Sequence, residues 1–490
     1  MQTKSLLTKF IILSLMFSFS IVKANQHFYP NANATSGYQI TFKTKESKGS
    51  KVYLGNFYGK FNQYVDSIVV DTAGIGIFKA ANKLSPGIYF LQDHRKIQLL
   101  DFIVSNDDQQ ILIEELNYET ANYKVQGGQE NTLYSAYNEF VRNAVPEINQ
   151  FRAELLSAHT KADSLKIQAK LQAKTLSIDQ YRVNLIKSHP KSLLAQFFIA
   201  MERPKLPVPT PKSLSTQTAQ LAYLKNHYWE GIDFSNAAFI KTPFFEPKLE
   251  EYFKYYVSPT VDSIIPIVDN MLLLAKPNAD MYFYLLSKFS NKYMTPAYLG
   301  QDKVFIHLYQ NYYLKGDTIL LSAKDKKTVI QTANKLIANQ LGQKAPDFNM
   351  VDINGDPKTL YAIDAKFSLL IFWDPTCDVC QKELPRVDSI YRASWFKYGL
   401  KVITINNDAA HESQWRKYLA EHDLKDWVNL YETIIDHEAR VKKGLPTYQQ
   451  LYNSYQTPTM YLLDKDKNIL AKRLSLEQFD NMLKELNRKK

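Results

Sequence analysis

Leu369-Leu370-Ile371-Phe372-Trp373-Asp374-Pro375-Thr376-Cys377-Asp378-Val379-Cys380 is the stretch that decides how the C-terminal third of this 490-residue chain is read. Five consecutive apolar residues ending in two aromatics spell a strand buried on both faces. The cysteine pair follows directly and opens a segment with helical spacing. A cysteine at a helix N-terminus meets unpaired backbone N–H groups and the positive end of the helix dipole, and both favour its thiolate. The thiolate is the attacking species in disulfide exchange. Cys380, one turn further on, is spaced to attack the resulting mixed disulfide and release the product.

These are the only two cysteines in the chain, so the pair has no stapling framework around it. Structural zinc would need two further ligands, and His411, His422 and His437 form no HxxxH-type pair, so no metal is expected. A peroxidatic cysteine typically follows a Pro-x-x-x-Thr-x-x-Cys pattern, whereas here Pro375 and Thr376 directly precede Cys377. An inert disulfide closing so short a loop would add little stability. A redox-active dithiol remains. It carries both electrons itself, so no cofactor is implied.

Outward from the pair, strands and helices alternate: a strand at 368–373, a helix from Cys377, a strand at 402–406, a helix near 412–421 and a strand at 460–463. A hairpin at 464–468 and a helix from about Ser475 finish the chain. Such alternation predicts a sheet flanked by helices.

With these motifs in hand, the segment from Gly342 resembles the TlpA-like (ResA-like) branch of the thioredoxin superfamily, found in bacterial envelopes. The matching residues are Ala345-Pro346-Asp347-Phe348, Phe372-Trp373-x-x-x-Cys377-x-x-Cys380, the helix proline Pro385 and Thr457-Pro458-Thr459. The resemblance implies a cis Thr457-Pro458 pair facing the cysteines. It also matches Glu383 to the acid of a Cys-x-x-Cys-x-x-Glu pattern, where a carboxylate could relay the proton that Cys380 must lose. The chain departs from ordinary thioredoxins in three places: Ile371 stands where their buried acid lies, Thr376 where they carry Trp, and Asp378-Val379 replaces Gly-Pro. A negative charge at Asp378 opposes the helix dipole and tilts the reading toward a reductant.

Ahead of this domain the pattern changes twice. Short alternating runs at 38–42, 51–54, 67–70, 87–91 and 110–113, separated by Gly and Asn/Asp clusters, predict an antiparallel β domain. After Gly127-Gly128 a helical period takes over to about Leu341, interrupted by the Pro-rich run 204–211, read as a loop within one helical domain. The predicted organisation is therefore multidomain: a signal peptide at 1–24, an all-β domain at 25–126, an all-α middle domain at 127–338 and an α/β thioredoxin fold at 339–490. This layout resembles multidomain exported thioredoxins of Bacteroidetes.

Residues 1–24 carry Lys4 and Lys9, an apolar stretch from Phe10 to Val22, and Val22-Lys23-Ala24 before Asn25. That is the pattern of a cleaved secretory signal. No other stretch approaches the length of a membrane span, so a soluble envelope protein without stable membrane insertion is expected. Removing Lys4, Lys9 and Lys23 lowers the formal charge from +11 to +8, spread without an Arg-rich run, which argues against nucleic-acid binding. The expected function is reduction of disulfides in other envelope proteins, with a membrane electron donor restoring the dithiol. The alternatives are an envelope binding protein with a secondary redox site and a thiol peroxidase.

Overall fold

The computed structural model describes residues 37–317 and 321–488. They fall into two compact units that meet between Tyr256 and Val257. The stretch read above as one helical domain is thus divided between the units. The expected leader at 1–24 lies outside the described residues.

The first unit opens with β1 (Tyr38–Lys43), β2 (Lys51–Tyr58), β3 (Phe61–Val69), β4 (Ile75–Ala80), β5 (Gly87–Gln92), β6 (Gln98–Val104), β7 (Gln110–Asn117) and β8 (Asn122–Gln126). These make two four-stranded sheets, β4-β1-β7-β8 and β3-β2-β5-β6. Alternation along the strands sends Ile40 and Phe42 from one sheet, and Val52, Leu54, Leu91 and Phe102 from the other, into one core. The antiparallel expectation needs one correction, since β1 and β7 run parallel with Ile40 opposite Ile111. The chain reaches β7 by crossing over from the other sheet, and a crossover permits parallel pairing where a tight hairpin does not.

Among the described residues, five α-helices complete this unit: α1 (Gly128–Leu156), α2 (Lys161–Ser188), α3 (Leu193–Met201), α4 (Gln217–Asn226) and α5 (Phe245–Tyr255). The buried Asn131 side chain ties α1 to β6 as a strand would, accepting from the Ile103 N–H at 2.9 Å and donating to its carbonyl at 2.8 Å. The Pro-rich run lies outside any regular element between α3 and α4.

The second unit begins with α6 (Val261–Ala275), α7 (Ala279–Met294), α8 (Asp302–Asn311) and α9 (Ala323–Ile337). A seven-stranded sheet follows, built from β9 (Asn349–Asp352), β10 (Pro357–Thr359), β11 (Phe367–Trp373), β12 (Leu400–Asn406), β13 (Val428–Tyr431), β14 (Thr459–Leu463) and β15 (Ile469–Lys472). Its order is β10-β9-β13-β12-β11-β14-β15. The helices of this part are α10 (Asp378–Ile390), α11 (Glu412–Glu421), α12 (Ile434–Lys442), α13 (Tyr448–Leu451) and α14 (Leu476–Arg488). β11 pairs parallel with β12 and antiparallel with β14, and all seven of its residues are buried. Leu369, Ile371 and Trp373 enter the core layer that holds Cys380, while Leu370 and Phe372 enter the layer on the other face.

A buried ion pair locks α8 to the edge strand β15. The Lys472 ammonium donates to Asp302 at 2.6 Å and to the backbone and side-chain oxygens of Asn339, both at 2.9 Å. Both partners are almost fully covered, and the second Asp302 oxygen has no hydrogen-bond partner. Burial lowers the Lys472 pKa against the opposing pull of Asp302. Removing the cation alone would strand a buried carboxylate. Lys472→Ala is therefore expected to cost about 3–5 kcal/mol in denaturant unfolding, and Lys472→Met combined with Asp302→Leu to cost much less.

Candidate redox site

The buried strand β11 ends at Trp373, and the four residues Asp374 to Cys377 turn the chain into α10. The turn is held by Asp374. Its carboxylate accepts from the Thr376 N–H at 2.7 Å and hydroxyl at 2.6 Å, and its carbonyl accepts from the Cys377 N–H at 3.1 Å. Across the sheet end, His411 sits in a short turn after β12 and meets the same carboxylate through Nδ1 at 2.9 Å. Burial opposes ionisation of Asp374, but the Thr376 and His411 contacts outweigh it and hold its carboxyl below the usual range. The same hydrogen bond raises the His411 imidazole above its ordinary value.

Cys377 is the N-cap of α10, and its sulfur takes the acceptor role that a Ser or Asp oxygen fills at most caps. Sγ accepts from the Cys380 N–H at 3.3 Å and donates to the Thr457 carbonyl at 3.5 Å. The thiol is half-buried, that of Cys380 is fully buried, and the two are unbridged. Desolvation alone would raise the Cys377 pKa. Hydrogen bonds from the Cys380 and Thr457 side chains and from the Cys380 and Val379 N–H groups reverse that and lower it. Cys380 goes the other way, raised first by burial and then by the neighbouring sulfur. One thiol is thus accessible and easily ionised, the other shielded and reluctant.

The Thr457–Pro458 peptide bond is cis, and its carbonyl side abuts the Cys377 sulfur. Glu383 is drawn elsewhere: it pairs with Arg386 at 2.5 Å, and Arg386 in turn bonds Glu477 at 2.7 Å. No hydrogen bond from Glu383 to either cysteine is found among the described residues. Asp374, Asp408 and His411 offer ligand atoms within 4.8 Å of one another. Within this group, His411 bonds Asp374 directly at 2.9 Å and lies 3.9 Å from Asp408. Sequence reasoning missed the Asp374–His411 pair. The Asp-Pro-Thr spacing carried a turn signal for Asp374, but nothing in the sequence brought His411 to it.

Residues 341–472 match the AhpC/TSA family, and residues 165–335 match a family described only as a domain of unknown function (DUF5106). A domain of a possible thiol-disulfide isomerase from Cytophaga hutchinsonii is 30% identical, covering 94% of that domain and 30% of this chain, with a TM-score of 0.26. Residues 341–472 are a thioredoxin-like domain of the AhpC/TSA type. Among curated relatives, the thioredoxin-like protein YneN of Bacillus subtilis is 28% identical over 133 residues, 27% of this chain and 71% of YneN. The thiol-disulfide oxidoreductase ResA of Bacillus cereus is 27% identical over 133 residues, 27% of this chain and 69% of ResA. With this thioredoxin-like domain, the chain is a thiol-disulfide oxidoreductase.

In the reduced protein, iodoacetamide should modify Cys377 at least about a hundredfold faster than Cys380 until the fold is denatured. Because the Cys377 pKa is depressed, its alkylation rate should rise with pH to a midpoint below that of an unperturbed thiol. Peptide mass mapping over a pH series reads both.

Proposed function

We propose that this oxidoreductase reduces disulfides of other proteins in the bacterial envelope, with Cys377 as nucleophile and Cys380 as resolving thiol. The observation that carries the reading is the opposite treatment of two sulfurs one helical turn apart. Cys377 is half-exposed with a lowered pKa, and Cys380 is fully buried with a raised one. In the forward step the Cys377 thiolate attacks a client disulfide, forms a mixed disulfide and expels the client's other sulfur as thiolate. Cys380 then loses its proton and attacks the Cys377 sulfur, which releases the reduced client and leaves an intramolecular disulfide. Two electrons pass to the client and none is left over.

Thr457 and Pro458 serve the docking of the client backbone. Pro458 has no N–H to compete for client carbonyls, and the Thr457 carbonyl accepts from the Cys377 thiol at 3.5 Å. Export by a cleaved leader is supported by the charge and apolar pattern of residues 1–24. No helix among the described residues is long and apolar enough to cross a membrane. A membrane donor would return the dithiol to its reduced state. The reductive direction is supported by Cys380, whose reluctance to ionise limits the charge stabilisation of the reduced form that makes a strong oxidant.

A second reading, a thiol peroxidase, draws on the family description alone and is separated by peroxide consumption. The trapping test is direct. Cys380→Ser should accumulate mixed disulfides with envelope clients, whereas Cys377→Ser should trap none above background. Equal trapping by both variants would sink the assignment. Equilibration with a glutathione buffer should give a potential near roughly −270 mV, and a value above roughly −180 mV would make the protein an oxidase or isomerase.

A further inference from the structure

Resting on the reading of Cys377 as the nucleophile, we propose that His411 is a positioning residue for it, acting by neutralising Asp374 in the turn that delivers the cysteine. Asp374 cannot be removed without loosening that turn, because it binds Thr376 through two hydrogen bonds and Cys377 through its carbonyl. The carboxylate that builds the turn is therefore an anion three residues before Cys377, whose sulfur must itself become an anion. Two like charges so close disfavour each other. A counter-charge on the far side of the carboxylate resolves the conflict, and His411 supplies it at 2.9 Å.

The surrounding charges make His411 the cation for this task. Asp408, on its own turn, lies 3.9 Å away and reinforces the protonated imidazole. The following Glu412 is taken by Arg416. On α10, Asp378 adds only negative charge. On α12, which packs beside the His411 turn, Asp436 is bound by its helix cap and Glu438 is acidic. Two basic side chains of that helix, His437 and Arg440, are both committed to Glu432. His411 is the one cationic side chain bonded to Asp374 among the described residues. Coupling runs both ways: a protonated His411 favours the Cys377 thiolate, and the thiolate favours the protonated His411.

The test measures iodoacetamide alkylation of Cys377 against pH in the reduced full chain, with the modified residue located by mass spectrometry. His411→Gln should raise the midpoint by about half to one pH unit. Below the midpoint the rate should fall about two- to threefold, because the greater nucleophilicity of a more basic thiolate returns part of the loss. Adding Asp374→Asn to His411→Gln should bring the midpoint back to the wild-type value, since the uncompensated anion is then gone and the amide oxygen still caps Thr376. His411→Asn gives the same reading if the Gln variant does not fold. An unchanged midpoint in the single variant, or a double variant as shifted as the single, would overturn the role of His411. Alkylation of Cys380 ahead of Cys377 in the wild type would instead overturn the underlying assignment of the nucleophile, and this inference with it.

Discussion

The N-terminus of α10 leaves backbone N–H groups that need an acceptor, and the acceptor provided is the sulfur of Cys377. Helix capping and nucleophile activation are therefore a single interaction. A cap of this kind contributes about 1 kcal/mol to its helix, and a charged acceptor is held more strongly than a neutral one. Whatever the helix gains from a thiolate cap, the thiolate gains from the helix. The rest of the domain keeps that sulfur in place. β11 is buried on both faces, so its end cannot shift without disturbing two core layers at once, and the Asp374 turn converts that fixed end into the start of α10.

Charge around the pair follows from the same geometry. The site holds two acids near its nucleophile, and the structure treats them differently. Asp378, in the first turn of α10, is exposed, and water screens it. Asp374 is partly covered and bears the hydrogen bonds that shape the loop, so it must stay ionised and must also be balanced. The sequence argument that Asp378 sets the redox poise thus looked at the neighbour in the chain. The acid that shapes the site, Asp374, lies three residues before Cys377 and reaches it through the backbone.

Much of the fold was legible because its signals are local. The run 369–373 reads as a doubly buried strand from composition alone, and β11 occupies Phe367–Trp373 with every residue covered. The helix expected near 412–421 is α11, and the final helix begins at Leu476. The parts that escaped are short or depend on distant partners. β9, β10 and β13 span only three or four residues each, too few for a period to register. The α12 segment has no buried residue, so no apolar stripe marked it. At the site, helix position and spacing sufficed to single out the cysteines. The i, i+3 spacing of Glu383 was equally real, but a helix face does not specify which neighbour a side chain reaches, and Arg386 one turn further on took it.

The helices ahead of the thioredoxin-like sheet bear on the site through its edge. β15 pairs with β14, the strand that begins one residue after Pro458 and so carries the cis-prolyl loop toward the sulfurs. The same β15 ends in Lys472, whose buried ammonium is satisfied by Asp302 at the start of α8 and by Asn339 just beyond α9. Asn339 reaches the sheet a second way, donating to the Leu451 carbonyl at 2.9 Å. Backbone hydrogen bonds linking Gly342, Gln343 and Ala345 with Lys467 and Ile469 occupy part of that edge and close it to strand pairing with another chain. The helical segment therefore acts as a cover and a brace for the side of the sheet that presents Thr457 and Pro458. Without Asp302, Lys472 would have to reach water or lose its proton, and either outcome would loosen the edge from which the prolyl loop is hung.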